Sequence, residues 1–138
     1  MQKPLSLAIL SNLNLVILMD NKTTIEELKD KIKHFCEVRD WDQFHNAKDL
    51  AIGIVTEASE LLDQFRFKSN EEIENLFKSQ ETRNKISDEL ADVLYFVLRL
   101  AQKYQIDLAD EFERKMRKNE LKYPIEKAKG LNKKYTEY

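Results

Sequence analysis

Two glycines and two prolines punctuate 138 residues. A sheet with many tight turns depends on those residues, so their scarcity points to a helical chain. Hydrophobic residues make up 42% of the chain, enough to build a core and to exclude wholesale disorder. The length fits one domain. Lysine and arginine number 23 against 25 aspartates and glutamates, a net charge of −2 that argues against a dedicated nucleic-acid binder. A single cysteine, Cys36, makes neither an internal disulfide nor a cysteine zinc site, and a reducing, cytoplasmic setting is the default.

Residues 1–18 read as an N-terminal extension of unassigned role, and residues 19–138 as the folded domain. The apolar run Leu5–Met19 is broken by Ser6, Ser11, Asn12 and Asn14. It is shorter than the roughly 20 residues of a membrane span, and no small-x-small cleavage site follows it. No membrane association is therefore expected. Thr24 with Glu27, or Thr23 with Glu26, has capping-box spacing, and Ile25, Leu28, Ile32 and Phe35 carry a helix to about Val38. Residues 39–46 read as a connecting loop. A second helix is predicted from Ala47 to Phe67, with Leu50, Ala51, Ile54, Ala58, Leu61, Leu62 and Phe65 on its apolar face. A short helix follows from Glu71 to about Lys78, then a long one from about Thr82 to Tyr104. The last spans Leu108–Leu121 and is stopped by Pro124. The polar tail beyond Ile125 reads as a docked or loose loop. The pattern is all-α and four-helix-bundle-like. The stretch from Leu90 to Ala101 leaves the long helix almost no polar face. A helix apolar all round is buried all round, so a second subunit is expected against it, in a homodimer or homotetramer.

Two pairs of acids stand out. Glu57 and Glu60 lie on the second helix, and Glu89 and Asp92 on the long one, each pair three residues apart and so projecting from one side of its helix. The bare spacing is weak, since a chain this acidic produces it about twice by chance. Its surroundings carry more. Leu50, Ile54, Glu57 and Leu61 form one stripe, and Ile86, Glu89, Val93, Phe96 and Leu100 another. Glu57 and Glu89 thus fall within core-facing stripes, with Glu60 and Asp92 beside them. Unpaired buried carboxylates cost several kcal/mol, and neither stripe offers a lysine or arginine. A hard divalent cation, Mg²⁺ or Mn²⁺, is the economical partner because it prefers oxygen ligands. The competing reading is that these are solvated surface acids. A di-iron site needs two E-x-x-H pairs, which His34 and His45 do not supply. An all-carboxylate Mg²⁺ site suits phosphate chemistry. Without a P-loop, side chains must hold the phosphates, and Lys48, Lys118 and Lys122 are candidates against their ordinary role as solvated lysines.

The segment Arg39-Asp40-Trp41-Asp42-Gln43-Phe44-His45, then Lys48, then Glu57-Ala58-Ser59-Glu60-Leu61, resembles the MazG-like nucleotide pyrophosphohydrolases. So do Asp88-Glu89-Leu90-Ala91-Asp92-Val93-Leu94, Lys115-Met116, Asn119, Lys122-Tyr123-Pro124 and Lys134-Tyr135-Thr136-Glu137. The resemblance covers about residues 25–138 and is nearest to the small dCTP pyrophosphatases. It implies an all-α oligomer that uses Mg²⁺ to cleave a nucleoside triphosphate, dCTP first, between its α- and β-phosphates, in nucleotide-pool cleaning. It implies Glu57, Glu60, Glu89 and Asp92 as metal-binding and catalytic residues, and Asn119 and Lys122 as phosphate contacts. Trp41 and His45 match positions near the base pocket; Trp41 reads equally as a core or interface aromatic, His45 could bond a base edge or a phosphate or simply cap the second helix, and Tyr123 is either a site residue or packing. Phe67 stands where the dCTP-specific enzymes carry tryptophan, and Phe96 where they carry tyrosine. Phe67 can still stack on a base, whereas Phe96 lacks the hydroxyl, which bears on base preference. The alternatives are a non-enzymatic helical interaction protein, or a relative acting on another nucleotide such as phosphoribosyl-ATP.

Overall fold

The computed structural model of the protein describes residues 17–138. Of the expected extension, residues 1–16 lie outside the described residues. The described chain folds into helices α1 (Ile25–Glu37), α2 (Ala47–Asp63), α3 (Asn70–Leu76), α4 (Gln80–Lys103), α5 (Leu108–Lys122) and α6 (Ile125–Ala128), with no strand among these residues. Single 3₁₀ turns occupy Asp42–Phe44 and Tyr135–Glu137.

Local chemistry sets the helix starts. Of the two capping boxes the sequence offers, Thr24 with Glu27 forms: the Thr24 hydroxyl accepts from the Glu27 amide at 3.2 Å, and the Glu27 carboxylate accepts from the Thr24 amide at 2.7 Å. Ser69 and Glu72 repeat the arrangement at α3. Asn46 caps α2 by accepting from the Asp49 amide at 2.9 Å. Asp107 caps α5 from both the Ala109 and Asp110 amides. Several predicted boundaries shift: α3 ends at Leu76 rather than Lys78, and the tail expected as loop opens with the short helix α6. α4 starts at Gln80, with the Thr82 hydroxyl donating to the Ser79 carbonyl within its first turn. α2 stops at Asp63 rather than Phe67. There the Gln64 and Phe65 amides bond three residues back, and Phe67 takes a left-handed φ of 62° that cannot continue a helix.

α4 is the central element: α2 packs along it, and α1 packs on it more lightly. The buried apolar side chains are Cys36 from α1, Leu50 from α2, and Ile86, Leu98 and Ala101 from α4. Burying Leu50 or Leu98 stabilises the fold by about 1.5–3 kcal/mol each. α2 and α4 approach closely at Gly53, where a Cβ would stand 2.5 Å from Cδ1 and Cε1 of the Phe96 ring. Polar ties fix the ends. Lys29 Nζ, itself buried, donates to the Ile106 carbonyl at 2.7 Å beyond the end of α4. The Tyr104 hydroxyl accepts from the Ala47 amide at 2.8 Å, joining the end of α4 to the start of α2.

The expected packing needs correction. The helices that pack extensively are α1, α2 and α4; α5 packs extensively against none of the other elements, so one chain does not close a four-helix core. On α4, a single chain leaves part of the apolar stretch uncovered, the exposure for which a second subunit is expected. Leu98 and Ala101 are in the core, whereas Leu90 is 58% and Leu94 48% exposed. The α4 ridge is wider than α1 and α2 can cover. On α2, likewise, the expected core positions Ala51, Ala58 and Leu62 are exposed, because only the side toward α4 is covered. The tail docks through aromatic rings: Tyr123, at the end of α5, lies edge-on to Tyr135 at 6.0 Å and to Tyr138 at 6.2 Å.

Candidate functional site

The α2–α4 contact brings the two acidic pairs together. Glu57 lies one helical turn after Gly53, and Asp92 one turn before Phe96, so the acids gather together on one side of the Gly53–Phe96 contact. Glu57 and Glu89 are half-buried, while Glu60 and Asp92 face solvent. Carboxylate oxygens of Glu57, Glu60 and Glu89 all lie within 4.8 Å of one another. Partial burial, then the charges of Glu60 and Asp92, raise the Glu57 carboxyl above its ordinary pKa. Glu89 is raised by burial first, then by the charges of Glu60, Glu57 and Asp92, and by a hydrogen bond with Glu60. Asp92 therefore acts on the cluster electrostatically, although it is outside the tightest trio. Among the described residues, no lysine or arginine forms an ion pair with any of the four. Three converging oxygens, mutually repelling and without a protein cation, fit a hard divalent ion by donor type and spacing.

This arrangement can be set against known proteins. Residues 52–138 match the MazG-like family. The chain is 32% identical over 117 residues to dCTP pyrophosphatase 1 of Bos taurus, spanning 85% of this chain and 69% of that protein. It is 33% identical over 114 residues to dCTP pyrophosphatase 1 of Homo sapiens, spanning 83% and 67%. A pyrophosphatase from Archaeoglobus fulgidus DSM 4304, solved by crystallography, superposes with a TM-score of 0.68 at 33% identity, covering 78% of this chain and 99% of that one. The chain belongs to the MazG-like family.

In this MazG-like chain the other expected site residues are dispersed. Trp41 is 40% exposed, packs edge-on to Phe35 at 5.6 Å and has the Arg39 guanidinium 5.9 Å over its ring. His45 is half-buried 6.4 Å from the Trp41 ring. It does not cap α2, since Asn46 does. Lys48 is exposed on the first turn of α2, 3.9 Å from Asp49. Phe67 is 90% exposed, with the Arg66 guanidinium 4.6 Å above its ring. Asn119 and Lys122 ride on α5, and Lys122 Nζ stands 4.8 Å over the Tyr135 ring. Tyr123 is held in the tail's aromatic cluster. All three belong to α5 and its end, and α5 does not pack extensively along α2 or α4.

One network escaped the sequence reading. Arg99 of α4 is 1% exposed and ties Asp42 and His45 to the helix. Lys103 adds a 3.3 Å ion pair to the Asp42 carboxylate and a 2.7 Å bond to its carbonyl. Hydrogen bonds from Arg99 and Lys103 hold the Asp42 carboxyl below its usual range. The signal was present in the sequence as a charged residue interrupting the apolar run Leu98-Arg99-Leu100-Ala101.

Proposed function

We propose that this chain is a Mg²⁺-dependent nucleoside triphosphate pyrophosphohydrolase, with dCTP as its first substrate, releasing the monophosphate and pyrophosphate. Family membership and kinship to proteins named pyrophosphatases make it a hydrolase of acid anhydrides. The observation that carries the metal-dependent reading is the convergence of Glu57, Glu60 and Glu89 within 4.8 Å, with Asp92 adding its charge. Glu57, Glu60, Glu89 and Asp92 would hold the ion or ions. A divalent cation there supplies charge to the phosphate oxygens and acidifies water.

The chain's own groups do the rest. One of the four carboxylates would take a proton from the water as its oxygen bonds to the α-phosphorus and the bond to the in-line pyrophosphate breaks. Lys48, Asn119 and Lys122 are assigned to phosphate oxygens, and Trp41, His45, Phe67 and Tyr123 to the nucleoside. α5 stands apart within one chain, and Leu90, Ala91, Leu94 and Val97 line an open apolar groove on α4. Both features support a homodimer or homotetramer as the working enzyme. Residues 1–18 are assigned no part in the reaction. Among the described residues no helix is long and apolar enough to cross a membrane. A cytoplasmic setting, which keeps the buried free thiol of Cys36 reduced, suits a role in nucleotide-pool cleaning.

Calorimetric titration with Mg²⁺, paired with pyrophosphate release from the ordinary and several modified triphosphates, tests this reading. Mg²⁺ uptake that weakens in Glu89→Gln, with dCTP turned over fastest, is the expected result. No uptake and no pyrophosphate from any nucleotide would leave a helical interaction protein instead.

A further inference from the structure

The Arg99 side chain spends its donors on three side chains. Nε donates to Nδ1 of His45 at 3.0 Å, one Nη donates to the Asp42 carboxylate at 2.5 Å, and the other to the Gln102 side-chain carbonyl. A guanidinium has only donors and keeps its charge at any pH the fold survives. The bond to His45 can therefore run in one direction only. Nδ1 must be a bare lone pair, the imidazole must be neutral, and its proton must sit on Nε2. A second proton on the ring would set N–H against N–H. The charges that face His45 are Arg99 and Lys103 from α4 and Asp42 from its own loop. Burial first, then the two cations, depress its pKa, and Asp42 opposes them. The ring is thus locked in one tautomer and presents a permanent donor.

We propose that Arg99 is a positioning residue that fixes His45 as an Nε2–H donor to an acceptor oxygen of the nucleotide, a base carbonyl or a phosphate. A donor at this position rejects an exocyclic amino group, which would meet it N–H to N–H. The same bonds pin the loop that carries Trp41, so the tautomer and the aromatic wall beside it are set together. The inference rests on the nucleotide reading of the site, but its first half concerns only the state of one ring.

Nitrogen-15 NMR of His45 in the intact protein reads that state directly. The wild type should show a proton-bearing Nε2 and a bare Nδ1 at neutral pH, and should keep that form to lower pH than a free imidazole does. Adding deoxycytidine should shift Nε2 if the acceptor is a base carbonyl, and adding inorganic tripolyphosphate with Mg²⁺ should shift it if the acceptor is a phosphate. Arg99→Met should release Nδ1, mix the tautomers and raise the ring's pKa. It should also raise KM for dCTP at least ~10-fold while kcat stays within about threefold, since positioning of bound substrate is lost rather than the reacting groups. A wild-type His45 protonated on Nδ1, or titrating at its ordinary value, overturns the proposal whether or not the variant folds. An Nε2–H that neither probe moves, with KM unchanged in Arg99→Met, leaves Arg99 a purely structural anchor and also overturns it. If His45 shows the locked tautomer but the wild type turns over no triphosphate, the nucleotide reading fails and takes the substrate half of this proposal with it.

Discussion

Replacing Glu57, Glu60 or Glu89 by Gln, or Asp92 by Asn, keeps each side chain's shape and removes one charge from a cluster that repels itself. Each change should lower turnover at least ~100-fold, the scale of losing a preorganised electrostatic contact, and should weaken Mg²⁺ binding. In the metal-free protein the same changes should leave the melting temperature unchanged or higher, because Glu57 and Glu89 carry raised carboxyls in the fold. Mg²⁺ should raise the wild-type melting temperature by ordinary linkage. Asp63→Asn and Glu74→Gln, at exposed positions, are the controls and should leave turnover within about twofold. A pH experiment isolates His45. Its folded pKa lies below the ordinary 6.5, so the unfolded chain binds that proton first. Stability is fully present above 6.5 and is lost as pH falls from there toward the folded value. Asp42, lowered from 3.8, acts in the same direction further into acid, whereas Glu57 and Glu89, raised from 4.5, act oppositely by shedding repulsion as they take up protons. The difference between wild type and His45→Gln removes those shared contributions. Thermal scans from about pH 7.5 to about pH 5.5 should show the wild type losing more stability than the variant; equal losses would contradict the depressed pKa.

At the scale of elements, the close approach of α2 and α4 should be brittle. Gly53→Ala gains about 1 kcal/mol of helix propensity, yet its Cβ would lie 2.5 Å from the Phe96 ring. Overpacking of that kind costs about 1–3 kcal/mol, so denaturant midpoints should fall, and Gly53→Ala combined with Phe96→Leu should recover part of the loss. A variant as stable as the wild type would show that the helices part freely there. The start of α1 was legible in the sequence because caps are local: Thr24 with Glu27 needs only three residues of spacing. The facing of the acidic pairs was legible too, since Glu57 and Glu89 each fall within an apolar stripe that has one side to bury. The end of α2 was not, because it turns on the left-handed backbone at Phe67, where an apolar residue carries no turn signal. Nor was the Arg99 network, whose partners His45 and Asp42 lie 54 and 57 residues away in the chain. The grip of Gly53 on Phe96 depends on the same kind of long-range register.

For the whole molecule, the groove along Leu90, Ala91, Leu94 and Val97 is the surface to probe for assembly. Light scattering at micromolar concentration should report at least a dimer. Leu94→Glu should give a helical monomer, because Leu94 is 48% exposed in the single chain. Leu98→Glu should instead unfold the chain, because Leu98 is 3% exposed within its own core and an unpaired charge there costs several kcal/mol. A monomeric wild type with intact helicity would remove the second subunit from the account. The central claim is that four carboxylates on two facing helices drive cleavage of a triphosphate between its α- and β-phosphates. Product analysis of dCTP incubated with the wild type and with Glu89→Gln, each with Mg²⁺ and with chelator, tests it most directly. The wild type with Mg²⁺ should yield one dCMP and one pyrophosphate per turnover, with near-complete loss in the variant or with chelator. Orthophosphate as the first product, or pyrophosphate released equally by Glu89→Gln, would contradict it.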